Sequence, residues 1–208
     1  MQPDAVPGRS LSREEQTTIA RRRMLEAAIQ LLAERGYDNT TLAAIGERAG
    51  YSRGLATHHF GSKSHLFAEL IRAISVRSRE ELEANLEGLE GVGALCAFAD
   101  SQRAFLQADP AAGRALLVLW FQSAIDESPM RGAATRDLLG HRERVREIIE
   151  RGVAGATIRA DVDAHAEAIQ FCGSLFGLAL QWLIDPERSR LDEMHQLLKE
   201  KLRASLSP

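Results

Sequence analysis

A chain of 208 residues, 45% of them hydrophobic, can bury a core without metals or disulfides, as one large domain or a small module fused to a larger one. Its two cysteines, Cys96 and Cys172, lie far apart in apolar surroundings, which points to free buried thiols and a reducing cytoplasm instead of a disulfide framework. A net charge of −3 argues weakly against nucleic acid, but residues 1–75 carry +2 and residues 76–208 carry −5, so phosphates suit the N-terminal part.

The opening MQPDAVPGRSLSREEQ has acids and prolines where a secretion signal needs a basic start and an apolar run. Residues 1–16 therefore read as a flexible arm. Strand alternation never persists, whereas apolar residues recur at three- and four-residue spacing, so the fold class is all-α. The spacing predicts a first helix over about 17–35, with Leu25, Ala28 and Leu32 on one face and Gly36 as its stop. Two short helices follow: one is capped by Thr40 and runs to Ala49, the other is capped by Ser52 and runs to His59. A longer helix from Ser62 to about Leu86 precedes the loop EGLEGVG, and five more are expected near 93–108, 110–127, 130–152, 163–184 and 189–205. Gly91-Val92-Gly93 lacks the strand and third glycine of a dinucleotide loop and reads as a turn.

The segment GYDNTTLAAIGERAGYSRGLATHHFGSKSHLF, Gly36 to Phe67, carries the functional information. Two helices crossing steeply over a short turn need a small residue where they touch, which Gly46 supplies. Gly50 can take the left-handed conformation that turns the chain. Leu42, Ile45, Ala49 and Ala56 can then point inward with Phe60, against Leu25 and Leu32. Ser52, Arg53, Thr57 and His58 stay on the outer face of the second helix, able to donate to base edges or phosphates, and Gly54 lets the backbone approach a duplex. Leu55 can touch a thymine methyl or pack. Arg21, Arg22 and Arg23, with Arg9 and Arg13, either approach the DNA backbone or minor groove or form a solvated helix start. His58 and His59 have no Cys or carboxylate at ligand spacing, so neither a metal nor a cofactor is expected.

The pattern TT-L-x-x-I-x-x-x-AG-x-S-x-G-x-x-x-x-HF-x-SK-x-x-LF resembles the DNA-binding domain of the TetR family of bacterial transcription regulators, densely over residues 21–70. The resemblance implies an N-terminal three-helix DNA-binding domain with a helix-turn-helix, residues 17–75, and a larger C-terminal helical domain for ligand binding and dimerisation, residues 76–208. It also implies that Thr40 caps, that Thr41 contacts phosphate, that residues 52–58 read the major groove and that Lys63 binds phosphate. A lysine in the first turn of a helix suits that last role. The DNA-binding set is then Thr40, Thr41, Ser52, Arg53, Gly54, Leu55, Thr57, His58, His59 and Lys63. Where the family commonly has Ala, Val and Tyr, this chain has Gly46, Tyr51 and Thr57. The phosphate contact of position 57 passes to His58 or is lost.

In the C-terminal part, Phe171 to Ile184 is the most apolar stretch; its 14 residues are too few for a membrane span and predict a buried helix. Gly173 and Gly177 allow close helix approach, and Leu191, Met194, Leu198 and Leu202 form a stripe on the last helix. A homodimer through residues 163–184 and 189–205 accounts for this pattern, as does an ordinary intramolecular core. Two recognition helices about 34–36 Å apart would enter successive major grooves of a palindromic operator, and a small ligand favouring another spacing would release it. Phe98, Phe105, Trp120, Phe121, Cys172 and Phe176 are candidates for a ligand pocket, with Arg103, Gln122 and His141 as polar anchors. Asp161, Asp163, His165 and Glu167 suit a helix start better than a metal. No nucleophile, base and orienting residue stand at suggestive spacing, so no catalytic residue is named. The reading is a cytoplasmic, ligand-released repressor that needs no membrane. An activator or ligand-independent regulator with the same DNA module is the alternative, and an enzyme ranks behind both.

Overall fold

The computed structural model describes residues 12–125 and 128–208, and among them nine α-helices and no strand. They are α1 (Arg13–Arg35), α2 (Leu42–Arg48), α3 (Arg53–Phe60), α4 (Lys63–Leu86), α5 (Gly91–Ala108), α6 (Pro110–Ile125), α7 (Pro129–Ala154), α8 (Ala164–Ile184) and α9 (Leu191–Leu206). Arg9 and the end of the helix expected over 110–127 lie outside the described residues.

Local capping explains where the helices depart from expectation. Helix α1 begins at Arg13 because Ser12 Oγ accepts the Glu15 N–H at 3.1 Å while the Glu15 carboxylate accepts the Ser12 N–H at 2.7 Å. This reciprocal box starts the helix before any apolar repeat does, so part of the expected arm is helical. Helix α2 is capped by Thr41, which accepts from the Ala44 N–H at 3.2 Å, and not by Thr40. Thr40 is instead fully buried, its hydroxyl donating to the Gly36 carbonyl at 2.7 Å. Ser52 occupies the N-cap of α3 without a side-chain capping bond, whereas Ser62 caps α4 by accepting from the His65 N–H at 3.2 Å.

The crossing of α2 and α3 depends on two glycines. Gly50 turns the chain at φ +82°, and a Cβ at Gly46 would lie 2.8 Å from the Ser52 carbonyl oxygen. Around them Ile45, Ala56 and Phe60 are buried with Met24, Ala28, Leu31 and Leu32 of α1, and Leu42 and Ala49 pack alongside. This core also takes in Ala112, Ala115 and Leu119 of α6 and Met130 and Ala133 of α7. The N-terminal helices are thus seated on the C-terminal ones. Helix α4 passes through both regions: Leu66, Phe67 and Leu70 belong to the first core, Leu82 and Leu86 to a second built with α5, α7, α8 and α9. The division expected after residue 75 falls inside this unbroken helix.

Two expectations for the last helices need correction. The 14-residue apolar stretch is the end of a 21-residue helix, α8, which is long and apolar enough by length and composition to cross a membrane. It is not a buried helix, since only 33% of its most apolar window is buried in the chain. Phe171, Cys172, Leu175, Ala179 and Leu183 face the neighbouring helices, while Ile169, Gly173, Ser174 and Ile184 are exposed. On α9, Leu191 and Leu202 of the expected partner stripe are 4% and 3% exposed against the chain's own α5 and α8. Leu197, on another side of the helix, is the exposed leucine there.

Candidate nucleic-acid interface and regulatory cavity

Arg53, Gly54, Thr57 and His58 are all exposed, and their spacing puts them on one face of α3. The opposite face buries Ala56 and Phe60, and Leu55 packs partly against the same core. Thr41 and Ser52, each at a helix start, are also exposed. Thr40 leaves this set, because its buried hydroxyl is spent on Gly36. Arg53 is paired with Glu47 of α2, an exposed pair that competing phosphates displace at little cost.

Two cations expected near DNA, Arg21 and Lys63, have other partners, as does Arg48. Arg21 binds the Glu69 carboxylate, donates to the His59 carbonyl at 3.1 Å and lies 4.8 Å above the Phe60 ring, tying α1 to α3 and α4. Lys63 Nζ donates to the Tyr37 carbonyl at 2.6 Å and sits 4.1 Å above the Tyr37 ring. Burial pushes the Lys63 pKa down, with Asp38 opposing the shift. It clamps the α1–α2 turn onto α4 as well as presenting charge at a helix start. Arg48, paired with Glu34 at 2.8 Å, fixes α2 to α1. His59 is half-buried, and burial followed by the charges of His58 and Arg21 lowers its pKa.

Among the C-terminal helices a partly open cavity of about 110 Å³ lies between α4, α5, α6, α7 and α8. Phe98, Phe105, Trp120, His141, Cys172 and Phe176 line it. Arg103, Phe121 and Gln122 do not. Arg103 is held outside by Asp192 at 2.7 Å, and Phe121 is 55% exposed because it follows Trp120 by about 100° around α6. Gln102 was missed, although it falls four residues after Phe98 on the wall of α5. Its amide donates to the Leu175 carbonyl at 2.9 Å and meets His195 Nε2 at 3.0 Å.

The rings form a connected row. Phe171 meets Phe98 edge-on at 5.5 Å, Phe98 meets His141 at 6.1 Å, His141 meets Trp120 at 6.5 Å, and Trp120 stacks on Phe176 at 4.0 Å. Burial lowers the His141 pKa against the opposing pull of Asp137, whose carboxylate stands 4.0 Å from Nδ1. Burial also pushes the Cys172 thiol up to about 11, so it is an unreactive wall residue. A second depression shares Ser78, Ser101 and Phe105 with the cavity and lies between α4 and α5, where Arg77 pairs with Asp109 at 3.0 Å. Asp163 accepts from the His165 and Ala166 N–H groups as the cap of α8, and no metal-binding group occurs among the described residues.

Residues 24–70 match the family model for bacterial regulatory proteins of the tetR family, and residues 93–207 match that for the C-terminal part of BetI-type transcriptional repressors. The chain belongs to the TetR family. Within it, the chain is similar to the HTH-type transcriptional repressor AcnR of Corynebacterium glutamicum, 37% identical over 76 residues, covering 36% of this chain and 40% of AcnR. The match thus spans well under two thirds of that relative's length. Among solved TetR-like structures, a regulator from Chloroflexus aurantiacus superposes with a TM-score of 0.82 at 23% identity, covering 92% of this chain and 98% of its own. A regulator from Saccharomonospora viridis in complex with choline gives 0.81 at 23% identity, covering 92% and 99%. These likenesses establish the shared fold over nearly the whole chain.

Proposed function

We propose that this TetR-family chain is a homodimeric transcriptional repressor that grips a palindromic operator with α3 and releases it when a small ligand fills the cavity. One observation carries the reading: cavity and reading head share their walls. Phe105, Leu116 and Trp120 line the cavity and also pack against the core that holds α1, α2 and α3. Helix α4 joins them again, with Phe67 in the head and Ser78 and Leu82 in the cavity wall. A ligand that spreads these walls therefore tilts α3, and it favours release to the extent that it binds the tilted state more tightly.

Dimerisation follows from the unused face of α8. A Cβ added at Gly173 or Gly177 would meet nothing within 4 Å, and Ile169, Ile184 and Leu197 are exposed nearby in sequence on α8 and α9. A second copy covering that face would set the spacing of two α3 helices. Repression is supported by AcnR, which is named a repressor, and the binding of a small ligand by the regulator of the same fold in complex with choline. The site of action is then the cytoplasm.

Binding of the purified protein to DNA upstream of its own gene, followed by anisotropy across a salt series, tests the proposal. Arg53→Ala is expected to relax preference at particular base pairs by about 1–3 kcal/mol. Lys63→Ala should weaken binding on every sequence and flatten its salt dependence. Salt-insensitive binding without preference for a palindrome would overturn the reading.

A further inference from the structure

The cavity combines three features that narrow what it holds. First, it is compact: an apolar void of about 150 Å³ suffices for benzene, so a space of about 110 Å³ that opens on one side suits a single ring. Second, no Asp, Glu, Lys or Arg is among its lining residues, so an ion would lose its hydration without gaining a counter-charge. The face that Trp120 turns to Phe176 is already occupied by that stack, so these two rings do not form an open cage for a cation.

Third, the wall contains a polar corner that the chain itself leaves unspent. The Trp120 indole N–H is buried without a partner, and an indole can only donate. Such a donor is costly to leave unmade, which favours a ligand that presents an oxygen acceptor. His141 of α7 also lines the cavity, its ring centroid 6.5 Å from that of Trp120. Both oxygens of Asp137 are buried and free of hydrogen bonds, and the carboxylate lies on the Nδ1 side of His141 at 4.0 Å. That negative charge favours the proton on Nδ1, which leaves Nε2 as an acceptor. A hydroxyl both accepts and donates, so it satisfies both groups at once.

We propose that the cavity is specific for an uncharged, compact ring carrying a hydroxyl, with Trp120 Nε1 donating to the hydroxyl oxygen and His141 accepting its proton. This deepens the ligand-release reading by naming the ligand class, and it rests on that reading for its regulatory meaning alone. Ser101 and Gln102 sit elsewhere on the wall, and Gln102 is already engaged by Leu175 and His195, so the corner at Trp120 is where selectivity resides.

Phenol, toluene, benzoate and choline serve as probes, added to the full chain without DNA and followed by calorimetry and by the indole N–H resonances of its two tryptophans. Phenol is expected to bind about tenfold more tightly than toluene, the worth of a pair of modest hydrogen bonds, and to shift one indole signal that Trp120→Phe removes. Benzoate and choline should bind more weakly than phenol. In His141→Phe the preference for phenol over toluene should largely vanish while toluene still binds, which also reports that the variant is folded. Equal affinities for phenol and toluene, an unshifted Trp120 signal, or tighter binding of choline or benzoate would each overturn the assignment. Operator release is measured separately on the DNA complex. Phenol binding without release overturns the regulatory reading and keeps the ligand class, whereas release by another probe with no phenol binding does the reverse.

Discussion

The reading head and the C-terminal bundle use their buried leucines differently. In the head, Leu31, Leu32, Ile45 and Ala56 are 1% exposed or less in a core that α6 and α7 complete. In the bundle, the buried Leu117 and Leu175 line the cavity on one side. Under the proposed function, a closely packed head would preserve the aim of α3, and the cavity in the bundle would let a ligand change it. The comparison breaks first on core truncation. Leu32→Ala is expected to cost near the top of a range of about 2–5 kcal/mol, because its void is closed all round, and Leu175→Ala near the bottom, because part of its surface already lacks neighbours. Urea denaturation of the two variants decides it. Equal losses would mean that the bundle is packed as tightly as the head.

The next contrast lies within the head, between two glycines. A methyl group on Gly46 would press on the backbone oxygen of Ser52 at 2.8 Å, so Gly46→Ala should destabilise by about 1–3 kcal/mol as α2 and α3 are pushed apart. The same substitution at Gly54 meets nothing within 4 Å and lies in a helix, so it should stabilise by about 0.5–1 kcal/mol while hindering approach to DNA. Thermal melts and operator affinity, measured together, separate the two effects. A neutral Gly46→Ala would show that this crossing has slack.

How much the sequence disclosed follows the same division. The head was legible because its glycines, caps and apolar positions occur in an unbroken run where spacing determines geometry, and Gly46, Gly50, Ile45 and Phe60 lie where that run puts them. Its misplacements were single-residue choices: Thr40 and Thr41 are chemically identical, and only the closing of the Gly36 turn on Thr40 selects the cap. The cavity was half legible. Adjacent helix positions can both line a cavity, as Leu116 and Leu117 do, so whether Trp120 or Phe121 faces inward depends on how α6 docks against α1, a long-range contact that no local pattern encodes. Likewise the leucines of α9 read as a partner-facing stripe ahead of a self-facing one, until α5 supplies their neighbour.

The smallest expected effect is acid sensitivity, and it again sets bundle against head. Burial lowers the pKa of His141 and His195 in the bundle and of His59 in the head. Each is a base that the unfolded chain protonates first, near its ordinary value of about 6.5. Stability is therefore complete above that value and declines as the pH falls from it through the lower folded values. His195 is the most enclosed of the three, at 0% exposure; its Nδ1 lies 2.9 Å from the Leu191 carbonyl, and Nε2 meets Gln102 in the cavity wall. Its protonation places a charge in the buried contact between α5 and α9, where the cost of desolvation outweighs the Leu191 carbonyl that accepts from it, so that contact is expected to weaken before α1 responds. Hydrogen exchange at stepped pH below about 6.5 should then show α5 and α9 losing protection ahead of α1 and α2, and His195→Gln should narrow the gap. Simultaneous loss in all four helices would instead make the shared core of α1 and α6 strong enough for head and bundle to open as one unit.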